Sequence, residues 1–217
     1  MIRMPSLARV LAALERVFGA VKVPPRARAF DMLVRVTCGY PASEDACAKG
    51  WKALSHDVGV STDAILAAPK RKLVRAMRAG GIVPELRAER LVEIASRVKE
   101  GADLRSRKVL KTFPTVGDPG ADRMLLFTRI EPVAAVPSNA TQVPLRLGFG
   151  EEQRSYAATY RSAQRALDAE LPPTFEARIR AYLLLRRHGE NVCKRSAPRC
   201  SDCPLTRQCA YFASAPC

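Results

Sequence analysis

Cys193, Cys200, Cys203 and Cys209 stand in a six–two–five spacing within HGENVCKRSAPRCSDCPLTRQC, and their thiolates are the residues here best suited to hold a metal. Pro198 and Pro204 stop helices and Ser196 and Ser201 favour turns, so the segment reads as a tight loop that can fold its sulfurs inward. Four thiolates around one centre suit zinc in a closed tetrahedral site or an iron–sulfur cluster, and the spacing alone leaves both open. A disulfide is the competing use, but nothing in the chain points to an oxidising compartment. The remaining cysteines, Cys38, Cys47 and Cys217, are spares, the first two reading as small buried hydrophobes.

The spacing, its place near the C-terminus and the LRRHGE lead-in (Leu185 to Glu190) resemble the iron–sulfur loop of the endonuclease III family, the helix-hairpin-helix DNA glycosylases that include the adenine glycosylases. The resemblance implies a 4Fe-4S cluster on Cys193, Cys200, Cys203 and Cys209, with His188 helping to position the loop.

A second stretch, LKTFPTVGDPGADRMLL (Leu110 to Leu126), carries the other half of the resemblance. A helix-hairpin-helix joins two short helices by a tight turn whose backbone N–H groups, with the positive end of the second helix, face a phosphate. Phe113-Pro114-Thr115-Val116-Gly117, then Ala121 and Met124-Leu125, is similar to the family's Leu-Pro-Gly-Val-Gly, alanine and apolar pair. On that reading Thr115, Val116, Gly117, Asp118 and Gly120 are nucleic-acid-binding positions. Thr115 stands where the family has its first glycine; a β-branched residue resists positive φ, so a turn of altered shape is expected. Pro119 withdraws one N–H from the phosphate.

The departures that matter most concern catalysis. Read without a gap from Gly117, Pro119 falls where bifunctional relatives carry the lysine that forms a Schiff base with the sugar. Pro137, in Val136-Pro137-Ser138-Asn139, falls where the family carries its aspartate. Neither proline can move a proton or hold a developing charge, and losing a preorganised charge costs orders of magnitude in rate. Glycosylase and AP-lyase turnover is therefore expected weak or absent. The alternative is an active glycosylase for an unusual lesion, with Asp118 or Asp122 as relocated acid. Asp118 reads equally as the cap of a helix with Pro119 at its first position, and Asp122 as a solvated or phosphate-adjacent face residue. Asn139 matches an asparagine found in some relatives and is a candidate for contact with backbone or base edge. Tyr40 and Pro41, where the family carries a lesion-probing glutamine, are candidates for an apolar wedge; a plain interhelical turn is the bland alternative.

The elements that must position these residues read as helices throughout. Leu7, Val10, Leu11, Leu14, Val17 and Phe18 form a stripe broken by charges, opened by Pro5 and closed by Gly19, which is not a secretion signal. Phe30 to Val36 starts an apolar helix, Glu44 to Leu54 another with Trp51 facing the core, and Lys70 to Ala79 a basic helix ended by Gly80-Gly81. Leu91, Ile94, Ala95 and Val98 set the apolar face of Glu85 to Val98, and Leu171-Pro172-Pro173 divides the last two long helices. No alternating apolar run argues for a sheet, so the fold is all-α. The resemblance implies two helical domains, residues 26–136 with the hairpin, and 1–25 joined to 137–217 with the cluster.

Charge agrees with a polyanionic partner. The 217 residues carry a net charge of +15, and residues 70–111 hold thirteen Lys or Arg against five acids. Most of these cations read as a solvated face, as does His56. No segment approaches the roughly 20 apolar residues that cross a bilayer. The expectation is a monomeric, cytoplasmic protein, nucleoid-associated if bacterial, that binds double-stranded DNA and no membrane. A zinc-bearing helical interaction module without DNA function is the remaining reading.

Overall fold

The computed structural model describes residues 6–40 and 43–214; the expectations for Pro5, Pro41 and Cys217 lie outside them. Among the described residues the chain forms twelve α-helices and no strand. They are α1 (Leu7–Phe18), α2 (Ala29–Thr37), α3 (Glu44–Asp57), α4 (Thr62–Ala67), α5 (Lys70–Arg78), α6 (Pro84–Lys99), α7 (Arg107–Leu110), α8 (Asp118–Phe127), α9 (Gln142–Leu147), α10 (Tyr156–Glu170), α11 (Phe175–Asn191) and α12 (Ala210–Ser214). Among the described residues no helix is long and apolar enough to cross a membrane.

Local chemistry sets the helix ends. Ser43, Ser61, Ser155 and Thr174 each accept the backbone N–H three residues on, at 3.1–3.3 Å. Each such cap contributes about 1 kcal/mol. Gly19 closes α1 at φ +79°, a conformation closed to most other residues.

The chain divides into two compact units. The first comprises residues 27–117, where α5 packs on α3 and α6, α4 on α6, and α2 on α3 and α6. The second comprises residues 1–26 with 118–217, where α1 packs on α10 and α11, α8 on α10 and α11, and α9 on α10, α11 and α12. Its core gathers Leu7, Leu14, Val136, Tyr160, Leu184 and Leu205, all 0 % exposed, so segments distant in sequence share one apolar interior. The turn after α7 closes the first unit and α8 opens the second stretch of the other.

Trp51 departs from expectation: it is only half-buried on α3, where Cys47, Gly50 and Leu54 supply the inward face. Cys38 and Cys47 are buried as expected, and His56 is exposed.

Candidate functional site

In the first unit, the segment from Phe113 to Gly117 makes a tight turn anchored by its apolar side chains. Phe113 and Val116 are buried, and the Val116 N–H donates to the Phe113 carbonyl at 3.2 Å. Arg97 of α6 stacks its guanidinium over the Phe113 ring, 4.0 Å from the centroid, and donates to the Thr112 carbonyl at 2.8 Å. Thr115 takes φ +67° at the exposed tip. The expected resistance of a β-branched residue to positive φ is overcome here. Threonine adopts the left-handed conformation that a glycine would favour and carries the strain. Gly117 follows, exposed. The opening turn of α8 has the orphan N–H groups of any helix start, less the one that Pro119 lacks.

The same unit carries the loop expected to act as a wedge. Tyr40 is 47 % exposed, with its N–H on the Gly80 carbonyl at 2.9 Å and its carbonyl accepting the Ile82 N–H at 3.3 Å. Glycine at 81 is required there: φ is +116°, and a Cβ would stand 1.9 Å from the Tyr40 oxygen. Ile82 and Val83, 61 % and 41 % exposed, extend the edge beside Tyr40.

One side chain holds these two loops together. Arg87 is 2 % exposed and donates to the carbonyls of Cys38 (2.6 Å), Met77 (2.6 Å), Gly81 (2.7 Å) and Ile82 (3.0 Å). The sequence reading placed such arginines on a solvated face and missed it. Yet Arg87 lies four residues before Leu91 and seven before Ile94, on the apolar stripe of α6. Ile82 and Val83 were missed too, because Gly80-Gly81 reads as a helix stop and no more.

In the second unit, α8 places two carboxylates differently. The Asp118 side chain is 11 % exposed, 3.9 Å from Arg161. Asp122 is not the face residue expected but 0 % exposed, accepting the Tyr160 hydroxyl at 2.9 Å and the Gln164 amide at 2.8 Å. The Tyr160 oxygen in turn accepts the Val136 N–H at 3.4 Å. Burial, reinforced by the Asp122 charge, pushes the Tyr160 phenol well above its ordinary range, so it remains a donor. Pro137 follows Val136, buried, its carbonyl taking the Thr141 hydroxyl at 3.2 Å. Asn139 is exposed and its amide donates to Glu190 at 2.9 Å.

The cysteine segment closes this unit. Cys193, Cys200, Cys203 and Cys209 line one cavity with Arg146 and His188. Arg146 donates to the Cys193 sulfur at 3.4 Å and the Lys194 and Arg195 carbonyls at 2.7 and 2.9 Å, while its guanidinium lies 4.7 Å from the Tyr211 ring. The Gln142 amide holds the Cys193 carbonyl at 2.9 Å. His188 is buried with Nε2 3.7 Å from the Cys203 sulfur, and burial lowers its pKa to about 4, so the ring is neutral at pH 7. Burial raises the Cys193 and Cys203 thiols, with Arg146 pulling Cys193 back. Among the described residues no three His, Cys, Asp or Glu side chains stand in an arrangement that holds a metal ion. Cys193, Cys203 and Cys209 are free thiols and Cys200 is disulfide-bonded. The donor set and its cationic neighbour fit an anionic thiolate cluster; the arrangement requires Cys200 to be reduced first.

Comparison with known proteins follows the same lines. No family model matches the chain. It is 26 % identical over 183 residues to endonuclease III of Treponema pallidum, covering 83 % of this chain and 82 % of the relative. A trapped endonuclease III–DNA covalent intermediate superposes with a TM-score of 0.78 at 21 % identity, over 99 % of both chains. A non-covalent endonuclease III–DNA complex gives 0.79 at 21 %, over 99 % of this chain and 98 % of that one. A thermostable thymine-DNA glycosylase gives 0.75 at 17 %, over 96 % and 97 %. The fold is that of the helix-hairpin-helix DNA glycosylases.

Proposed function

We propose that this chain is a member of the endonuclease III family, a reading supported by its 26 % identity to an endonuclease III and by its fold, and that it binds duplex DNA, damaged or distorted, while ordinary base excision and strand cleavage are weak or absent. The observation that carries this is the hairpin turn. Thr115 takes the left-handed conformation despite its β-branch, which supports a turn whose backbone N–H groups meet a phosphate. The turn from Thr115 to Gly117 and the first residues of α8, Asp118 and Gly120 among them, grip phosphate through N–H groups. Tyr40, with Ile82 and Val83 beside it, is the edge that enters a weakened base step. Asn139, tied to Glu190, contributes at the margin by exchanging that partner for DNA.

Pro119 and Pro137 occupy the positions of the family's lysine and aspartate, which removes the Schiff-base route and the charge that steadies the sugar. Pro137 is also buried. Asp122 is a poor substitute, being enclosed by Tyr160 and Gln164. Cys193, Cys200, Cys203 and Cys209 would hold a 4Fe-4S cluster, which when bound would cross-link the loop after α11. The family's plan would put residues 26–136 with the hairpin and 1–25 with 137–217 with the cluster; the compact units of this chain divide earlier, at residue 117.

The test is a panel of duplexes bearing uracil, thymine glycol, oxidised guanine mispairs or abasic sites, with binding, excision and borohydride trapping measured together. Salt-dependent binding without excision or adduct is expected, and Gly117→Pro, which removes a turn N–H, weakens it several-fold. Excision lost in Asp118→Asn would transfer the reading to a relocated acid. Indifference to every duplex at low salt would end it.

A further inference from the structure

Helix α5, Lys70–Arg78, carries five cations in nine residues; Arg75 and Arg78 suit its last turn, but the three that open it work against the helix. Lys70, Arg71 and Lys72 crowd the first turn, where the macrodipole favours anions, and no acid accompanies them. Arg71 and Arg75 are one helical turn apart, and Arg75 and Arg78 likewise, so like charges face one another along the stripe. Lys70 is paired, with Glu89 at 2.8 Å. Arg71, Lys72, Arg75 and Arg78 have no ion pair or hydrogen bond among the described residues. The acid nearest in effect, Asp57, acts on Arg75 and Lys72 through space only and is bonded to His56.

These residues do not lie on a plain convex face. Lys70, Arg71, Lys72, Arg75 and Arg78 line an open depression with Pro69 and Val74, and among the described residues no carboxylate lines it. The apolar side of the helix, Leu73, Ala76 and Met77, is spent on the interior of its unit. No apolar face is left for a bilayer, which separates α5 from a membrane-surface helix. Arg71 to Arg78 spans about 10 Å at 1.5 Å per residue, roughly the axial rise of three phosphates along one strand. Four cations without an ion pair or hydrogen bond among the described residues, two of them in the turn the macrodipole disfavours, suit an external polyanion.

We propose that the α5 depression is a second nucleic-acid track, taking the phosphate backbone of DNA at residues separate from the hairpin turn. The inference rests on the duplex-binding reading above and adds a surface to it. Lys72, Arg75 and their neighbours supply charge without base contacts, so the track contributes affinity and length of footprint rather than sequence preference.

The experiment is anisotropy of a labelled duplex titrated at salt concentrations from about 50 to 200 mM, for the parent chain, Gly117→Pro, and the combined Arg71→Gln, Lys72→Gln, Arg75→Gln and Arg78→Gln variant. The slope of log affinity against log salt should fall in magnitude by roughly two to three for the combined variant, at about 0.9 for each phosphate no longer neutralised. Its melting temperature should change little, since like-charge pairs are removed together with the through-space attraction of Asp57 for Arg75 and Lys72. Should the combined variant fail to fold, Arg71→Gln with Arg78→Gln is expected to remove about half of the effect. An unchanged slope alongside binding lost in Gly117→Pro overturns the track and leaves the hairpin reading standing. A parent chain that ignores duplex altogether overturns both. Loss confined to anionic phospholipid vesicles, with DNA binding intact, assigns the depression to a membrane and overturns the proposal.

Discussion

The carboxylate of Asp122 and the hydroxyl of Tyr160 meet at 2.9 Å in the interior of the second unit, joining α8 to α10. Through the same hydroxyl the link reaches the Val136 N–H, one residue before Pro137. A buried carboxylate survives because polar donors surround it, and its loss leaves those donors stranded. Tyr160→Phe should therefore cost about 1–3 kcal/mol in urea unfolding. Asp122→Asn keeps the shape and one acceptor and should cost less. Both should leave duplex affinity of the folded fraction unchanged. A fall in affinity without a fall in stability would place Asp122 at the DNA surface.

Thr115 holds φ +67° at an exposed turn tip, a conformation that costs a β-branched residue about 1–2 kcal/mol. Asparagine tolerates this region and adds less unfolded-state freedom than glycine does. Thr115→Asn should raise stability by about 0.5–1 kcal/mol, read as a shift of the unfolding midpoint at constant slope. Thr115→Val keeps the branch and should bring no gain.

Much of this was legible beforehand. The longer helices were, from an apolar stripe at helical spacing and a Ser, Thr, Gly or Pro at an end, as Leu7 to Leu14 with Gly19 shows, whereas the short α9 and α12 were not. The hairpin and the four cysteines were legible as motifs. What escaped was polar burial. Arg87 and Asp122 fall on the inward faces of α6 and α8, and their charge argued for solvent where their register argued for the interior. Register prevailed because the partners, backbone carbonyls for one and Tyr160 with Gln164 for the other, come from elsewhere in the chain. No local pattern announces such partners.

Arg87 gives the sharpest stability prediction. Its guanidinium satisfies four carbonyls from three segments, at Cys38, Met77 and the Gly81–Ile82 pair. Lysine keeps the charge but offers a single compact ammonium that cannot span them. Arg87→Lys should cost about 1–3 kcal/mol, and Arg87→Met, which strands all four acceptors, about 3–5 kcal/mol. Amide hydrogen exchange locates the damage. Protection should fall first at Tyr40 and Ile82, whose bridging bonds join the two loops, and last in α4. Uniform loss of protection would mean that Arg87 supports the unit as a whole rather than this edge.

Arg146 holds the cysteine loop from outside. It bonds the Cys193 sulfur and the carbonyls of Lys194 and Arg195, so one side chain fixes both a donor atom and the backbone that aims it. Groups that orient ligands in this way typically change metal affinity by about 10–100-fold when removed. After anaerobic reconstitution with ferrous iron and sulfide under reductant, which frees Cys200, the parent chain should retain iron through gel filtration. Arg146→Gln should lose most of it, while Arg146→Lys, still cationic but unable to reach all three acceptors, should fall between. The melting temperature of the unreconstituted proteins serves as control. Equal iron in all three chains would show that the cysteines organise the site without help, and equal absence would remove the cluster from the proposal altogether.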